Sequence, residues 1–285
     1  MKTVLITGAS TGIGAAAARH LAAKGWCVFA GVRKPADGDA LKAGAAGDLR
    51  PILLDVTKPE DIRAAVETVS AALGGTRLAG LVNNAGIATF GPLAIQPMDA
   101  FRRQFEVNVF GLMEATQAFA PLLGSDPDRT GPPGRIVNIT SVGGRISAPF
   151  LGAYAATKHA VEALTDSLRR ELAIYGIDAI AVGPGSVRTP IWDKAEADNA
   201  SQPYSNSDWA EPLARFEDSM LEGGRSGLPP EEIAQVIGAA LSDPKPKARY
   251  APVPDKLVNW SIPSRLPKRM LDGIFARRFG LTGRR

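Results

Sequence analysis

Short apolar runs alternate with helix-like stretches from Val4 to Val182, and this alternation constrains the fold more than any other feature. Val4–Thr7 is apolar and ends at Gly8, and an Ala-rich stretch over Gly12–Lys24 follows as a helix that stops near Gly25. Cys27–Val32 and Ile52–Asp55 read as the second and third strands. Thr57 and Glu60 stand at capping-box spacing with Pro59 just inside the helix start, and Ile62, Val66, Val69 and Leu73 recur on one helical face. Leu78–Asn83, Arg135–Thr140 and Asp178–Val182 read as further strands, separated by long helices over Phe101–Leu123 and Tyr154–Ala173. Strands that alternate with helices must pair in parallel through crossover connections, with helices on both faces. The expected fold is therefore α/β, a doubly wound parallel sheet, which binds ligands beyond the carboxyl ends of its strands.

Composition excludes several other classes. The chain has 285 residues, enough to bury a large core without a disulfide or metal. Cys27 is the only cysteine, inside an apolar run, and reads as a small core side chain rather than a reactive thiol. The two histidines, His20 and His159, do not form a ligand set, so no metal is expected. Met1–Thr7 reads as a buried first strand rather than a secretory signal, and no apolar stretch is long enough to cross a bilayer, so a cytoplasmic protein is expected. The formal charge of +4 is uneven: Ser264–Arg285 holds seven Lys/Arg against Asp272 alone, giving +6 there and −2 elsewhere. No basic stripe interleaved with stacking aromatics accompanies it, which argues against nucleic-acid binding.

Regular alternation stops after Pro184. A segment over residues 190–227 is too long for a connector and reads as a lid, with Ile191, Trp192, Trp209, Leu213, Phe216 and Leu221 scattered through it. Pro230–Leu241 resumes as an amphipathic helix and Arg249–Val253 as a last strand. The expected organisation is one domain over residues 1–263 and a basic extension over residues 264–285. In that extension Leu266, Met270, Leu271, Ile274, Phe275 and Phe279 recur at near-helical spacing. Such a helix can pack on its own domain or on another subunit, the favoured reading, or can lie on an anionic membrane surface as a peripheral contact.

The turn Thr7-Gly8-Ala9-Ser10-Thr11-Gly12-Ile13-Gly14 joins the first strand to the first helix. Glycines there permit a tight turn and a close backbone approach to a pyrophosphate, which the helix N-terminus also attracts. The spacing G-x-x-x-G-x-G differs from the common G-x-G-x-x-G fingerprint. Other segments accompany it in order: Asn83-Asn84-Ala85-Gly86, Ser141 thirteen positions before Tyr154, Tyr154 and Lys158 as Y-x-x-x-K, and Pro184-Gly185 leading to Thr189. Together, from about Val4 to Thr189, these resemble the short-chain dehydrogenase/reductase family, a Rossmann-type fold, and most closely its retinol and hydroxysteroid dehydrogenase branch.

That resemblance implies a set of roles. Gly8, Ser10, Thr11, Gly12, Ile13 and Gly14 would hold the pyrophosphate side of a nicotinamide dinucleotide, with Asp55 and Val56 at the adenine. Asn83 to Gly86 (Asn83, Asn84, Ala85 and Gly86) would line the adenosine side, and Pro184, Gly185, Val187 and Thr189 would hold the nicotinamide end. An acid at the end of the second strand would bind the ribose hydroxyls of NAD(H), but Val32 takes that place and Arg33 and Lys34 follow. Arginine can bind a phosphate through two N–H groups. NADP(H) is therefore the expected cofactor, with Arg33 as its main 2′-phosphate contact and Lys34 assisting, and NAD(H) as the alternative.

Tyr154 and Lys158 share a helix face. A nearby ammonium would lower the pKa of the phenol and let it exchange a proton with an alcohol or carbonyl. Ser141 would polarise the substrate oxygen, Lys158 would also bind the nicotinamide ribose, and Asn108 resembles the family asparagine that supports a proton path to the lysine. The expected activity is hydride transfer between the cofactor and a small-molecule carbonyl or alcohol, with a lipophilic substrate suggested by the branch and by the aromatic content of the lid. The rival reading is a cofactor-binding regulator without turnover. The family pattern implies a homodimer or homotetramer through the two long helices.

Overall fold

The computed structural model describes residues 1–191, 193 and 204–283. Trp192, most of the first half of the expected lid, and Arg284 and Arg285 lie outside the described residues. Seven parallel strands form one sheet: β1 (Thr3–Ile6), β2 (Cys27–Val32), β3 (Leu49–Leu53), β4 (Gly80–Asn83), β5 (Arg135–Ile139), β6 (Asp178–Val182) and β7 (Arg249–Tyr250). Their spatial order is β3-β2-β1-β4-β5-β6-β7. The chain thus winds outward from β1 in one direction and from β4 in the other. The crevice above the carboxyl ends of β1 and β4 is the switch point where such sheets bind ligands.

Helices cover both faces. On one face α1 (Gly12–Ala23) lies against α8 (Pro230–Ser242) over Val4, Ile6, Val28, Ala30, Val137 and Ile180. The alanines of α1 allow this close approach: Ala15, Ala16, Ala17, Ala18 and Ala22 are all buried. On the other face α3 (Pro59–Leu73), α5 (Gly111–Ala120) and α6 (Gly152–Glu171) cover Leu5, Phe29, Leu81, Ile136 and Ala179. Burial on both faces is why β2 reads as an unbroken apolar run, with all six residues buried. Cys27 sits in that strand, and burial pushes its thiol up to about 11, so it carries little thiolate at neutral pH.

Several elements differ from the sequence reading. A short helix, α2 (Pro35–Ala43), stands between the second and third strands, where the sequence reading assigns no element; its Gly38 lies where a Cβ would come within 2.7 Å of Pro51. The third strand starts earlier, at Leu49, because it pairs from Val28↔Leu49 to Val32↔Leu53 along the sheet edge. The capping box does not form. Lys58 occupies the N-cap without a side-chain bond, while the Thr57 hydroxyl donates to Asp55 at 2.8 Å; Pro59 does open α3. The single helix expected over Phe101–Leu123 starts at Met98 and is divided into α4 (Met98–Phe105), a π-helical turn (Glu106–Phe110), α5 and a second π-helical turn (Pro121–Ser125). Pro252 and Pro254 lack N–H donors, and β7 ends at Tyr250 rather than Val253.

Beyond β6 the chain forms α7 (Ala210–Ser226), then α8, and ends in α9 (Lys268–Phe279). The basic tail helix α9 packs on α7. Phe279 is buried with its ring 5.4 Å from that of Phe216, and Arg278 donates to Ser219 at 2.7 Å. Met270 and Ile274, on the same helix, remain exposed. No helix among the described residues is long and apolar enough to cross a membrane.

Candidate active site

The Gly8 turn and the loop after β4 are bound to each other. The Thr7 hydroxyl accepts the N–H groups of Asn84 and Ala85, each at 3.0 Å, and Asn84 Nδ2 donates to the carbonyls of Thr7 and Gly8 at 3.0 and 2.9 Å. These contacts leave no room for side chains. Gly8 has φ +64°, and a Cβ on it would lie 2.7 Å from Ala85 Cα. Gly12 has φ +58°, and a Cβ on it would lie 3.0 Å from Thr189 Cγ2. No side chain caps α1, so its first-turn N–H groups and positive dipole end serve the crevice.

One continuous cleft runs from this turn to α6. Gly8, Ser10, Thr11, Gly12, Ile13, Arg33, Asp55, Val56, Ala85, Gly86, Ser141, Tyr154, Lys158, Pro184, Gly185, Val187 and Thr189 all line it. Asn84, expected as part of the Asn83–Gly86 run, lines it too, and Ile87, Val107, Ile139 and Thr140 also line it without having been singled out in the sequence. Four expected residues do not. Asn83, the last residue of β4, turns its amide into the interior, donating to Thr116 and Asn138 at 2.9 Å each, so it does not line the cleft. Its neighbour Asn84 faces the cleft instead. Gly14 lies beneath the turn, where a Cβ would come within 2.4 Å of Asn84 Nδ2. Lys34 is exposed at the start of α2, away from the cleft wall. Asn108 stands behind Gly86.

Asn108 lies in the π-helical turn between α4 and α5, a distortion that is frequent at functional sites. Its amide is committed to Ile87: Oδ1 accepts the Ile87 N–H at 2.8 Å, and Nδ2 donates to the Ile87 carbonyl at 2.9 Å and to Thr157 at 3.0 Å. A Cβ on Gly86 would lie 3.3 Å from Asn108 Oδ1 and 3.6 Å from Lys158 Nζ, so the asparagine and the lysine flank one glycine.

Ser141, Tyr154 and Lys158 meet at the end of the cleft. The Ser141 hydroxyl accepts the Gly143 N–H at 3.0 Å and is hydrogen-bonded to Tyr154. Lys158 Nζ donates to the Ile139 carbonyl at 2.9 Å and lies 5.6 Å from the Tyr154 ring centroid. Burial pushes the Tyr154 phenol up to about 12, with the Ser141 hydrogen bond pulling the other way. Burial also brings the Lys158 amine down to about 8, opposed by the Glu162 carboxylate. Burial thus acts on the phenol in the opposite sense to the lowering expected beside the ammonium. At the far end of the cleft, burial works against ionisation of Asp55, but the Thr57 N–H and hydroxyl and the Arg33 guanidinium hold its carboxyl below the usual range.

An apolar cluster adjoins Tyr154. Phe90, Phe150, Leu151, Tyr204, Leu213, Phe216 and Phe279 are buried in it together. Phe150 has φ +61°, costly for an aromatic residue, and its carbonyl accepts the Gly91 N–H at 2.8 Å. Phe216 joins the walls, with ring centroids 5.6 Å from Phe90 and 5.8 Å from Phe150.

A glycine turn at the switch point of a doubly wound sheet, reached along one cleft from a Ser–Tyr–Lys set, defines an NAD(P)-dependent oxidoreductase acting on carbonyls and alcohols. The comparisons agree. Residues 2–200 match the family model described as short chain dehydrogenase, and the chain belongs to that family. It is 38% identical to the NADPH-dependent 3-dehydrocapnine reductase of Ornithobacterium rhinotracheale, covering 96% of each chain. It is 34% identical to retinol dehydrogenase 5 of Mus musculus, over 95% of this chain and 86% of the relative. Among solved structures, a short chain dehydrogenase/reductase from Burkholderia phymatum in complex with NAD matches with TM-score 0.75 and 26% identity, over 96% of this chain and 95% of that one.

Proposed function

We propose that this chain is an NADPH-dependent reductase of a lipophilic ketone or aldehyde, with Ser141, Tyr154 and Lys158 as its catalytic residues. The observation that carries the reading is the shared wall: Arg33 lines one end of the cleft, and Ser141 and Tyr154 line the other. The cradle fits a dinucleotide, because the Gly8 and Gly12 turn has no space for side chains and ends at an uncapped helix N-terminus. When bound there, the cofactor would supply the hydride that reduces the substrate carbonyl carbon. Tyr154 supplies the proton, and a phenol held protonated up to about 12 is ready to donate to a developing alkoxide. The Ser141 hydroxyl stabilises the negative oxygen from the second side. Lys158 keeps a positive charge against the phenol and offers its remaining N–H donors to the nicotinamide ribose. Asn108 holds the Ile87 backbone beside them.

Reduction with NADPH is supported by the name of the Ornithobacterium rhinotracheale relative, which specifies both. No acid stands at the tip of β2, where one would repel a 2′-phosphate, and Arg33 is exposed beside Asp55. A lipophilic substrate is supported by the aromatic cluster at Tyr154, closed by the lid helix α7 and the tail helix α9. The outer faces of α4, α5 and α6 are our candidate for a homo-oligomer contact, with Phe110 half exposed there.

The test of the cofactor reading is Arg33→Ala. Loss of a bidentate charged contact is expected to raise KM for NADPH by about 10- to 100-fold and to leave KM for NADH nearly unchanged. An equal effect on both cofactors would refute a 2′-phosphate role. A second expectation concerns pH. The rate of carbonyl reduction should fall as pH rises through about 8, because Lys158 loses its charge there while Tyr154 remains protonated. A profile of kcat/KM that stays flat to about pH 10 would count against a required ammonium.

A further inference from the structure

The C-terminal segment carries a surface that the cleft does not use. Among the described residues, five of the large apolar side chains that stand exposed fall within residues 257–274: Leu257, Val258, Ile262, Met270 and Ile274. The same stretch is basic. Lys256, Arg265, Lys268, Arg269, Arg277 and Arg278 are exposed between residues 256 and 278, against Asp272 as the one acid there. Arg269 pairs with Asp272 at 3.4 Å, and Arg278 donates to Ser219 at 2.7 Å. Arg265 donates to the Ser261 carbonyl at 2.8 Å, a neutral acceptor. Among the described residues, no carboxylate pairs with Lys256, Arg265, Lys268 or Arg277.

The segment is fixed to the body at both ends. Near its start Trp260 is half-buried, with the Arg249 guanidinium 4.5 Å from its ring centroid. Arg249 in turn donates Nε to both Glu162 oxygens at 3.0 Å and Nη2 to the Ser141 carbonyl at 3.4 Å. Near its end α9 packs through one side: the rings of Phe275 and Phe279 stack with centroids 6.2 Å apart, and Phe279 meets Phe216 in the aromatic cluster beside Tyr154. Met270, Ile274 and Arg277 recur at i, i+4 and i+7, the spacing of a second stripe on the same helix. Met270 is 55% and Ile274 49% exposed, so this stripe is turned to solvent.

Clustered apolar side chains rimmed by charge mark an interaction surface. The charge selects the occupant. A second copy docking by the same face would set these cations against themselves. A nucleic acid would use the cations but not the aliphatic side chains, and the rings that could stack on bases are spent, Trp260 on Arg249 and Phe279 in the aromatic cluster. An anionic bilayer satisfies both features, its phosphates taking the cations and its acyl boundary the apolar side chains. With 12 residues α9 is too short to span a bilayer, so the contact lies along the surface.

We propose that residues 256–278 form a peripheral binding surface for an anionic phospholipid bilayer, with Leu257, Val258, Ile262, Met270 and Ile274 entering the headgroup boundary and Lys256, Arg265, Lys268 and Arg277 binding lipid phosphates.

The test is sedimentation of the purified full-length protein with sucrose-loaded vesicles. Mixed vesicles of phosphatidylglycerol and phosphatidylcholine should carry it into the pellet at low salt, vesicles of phosphatidylcholine alone should not, and added salt should release it. Lys268→Gln with Arg277→Gln should weaken binding by about 10-fold or more, since each cation near such a surface contributes about fivefold. Met270→Ser with Ile274→Ser should weaken it by about 10-fold or more as well. All four side chains are exposed, so thermal unfolding of both double variants should match wild type. Wild-type protein left in the supernatant with anionic vesicles would overturn the proposal, as would binding that neither double variant weakens or that is equal with both kinds of vesicle. A dimer in size-exclusion chromatography that Met270→Ser with Ile274→Ser disrupts, without vesicle binding, would assign the face to a second copy instead. The readout is sedimentation and not turnover, so failure here leaves the reading of Ser141, Tyr154 and Lys158 untouched, and an active Tyr154→Phe leaves this surface untouched.

Discussion

A Tyr154→Phe variant is expected to fold normally, bind NADPH as wild type does, and lose about 10²- to 10⁴-fold in kcat, the range for a positioned acid or base. The substitution removes one oxygen. The ring stays among Phe90, Phe150 and Leu151, so no cavity opens, and it stays beside the Lys158 ammonium. What disappears is the proton donor and the hydrogen bond to Ser141. Thermal unfolding, NADPH fluorescence titration and steady-state turnover, measured side by side, separate these effects. A variant that keeps turnover within a few-fold of wild type would show that the proton comes from elsewhere. Equal loss of NADPH binding and turnover would mean that the phenol serves the cofactor instead.

The largest effect on stability is expected from Phe216→Ala, about 3 to 5 kcal/mol. Phe216 is wholly buried and makes ring contacts with Phe90, Phe150 and Phe279. Truncation therefore leaves a void where α7, α9 and the wall beside Tyr154 converge. Chemical denaturation would measure the loss, and limited proteolysis should show the chain beyond Pro267 becoming cleavable, because Phe279 loses its partner. As a contrast, Arg269→Ala should change stability by less than about 0.5 kcal/mol, since its ion pair with Asp272 is fully open to solvent on the arginine side. If Phe216→Ala costs no more than that control, the aromatic cluster does not bind α9 to α7.

The sequence reading succeeded where one side chain or one backbone position has a single physical role. Gly8 and Gly12 need positive φ and close approach, and the alternation of β2 with its flanking helices leaves few topologies open. The spacing of Ser141, Tyr154 and Lys158 likewise survives as proximity in space. It failed where tertiary partners decide. Asn83 and Asn84 are adjacent amides of the same type, and only the pairing of β4 with β5 directs the first inward. Thr57 carries a capping signal, yet the nearby Asp55 carboxylate takes its hydroxyl. The phenol pKa depends on burial, which motif spacing does not contain. Glu162 and Arg249 stand 87 positions apart, and nothing local pairs them. The tail helix reads from periodicity alone, but its partner, Phe216, is visible only after folding.

The most direct test of the central claim is NADPH consumption by the purified full-length chain against steroid, retinoid, aliphatic and quinone carbonyls, with Tyr154→Phe as the control. Oxidation of NADPH by at least one carbonyl, lost in the control and slower with NADH, is the result predicted from the cleft, Arg33 and the buried Ser–Tyr–Lys set. Tight NADPH binding with no turnover of any carbonyl, or turnover that Tyr154→Phe leaves intact, would contradict it.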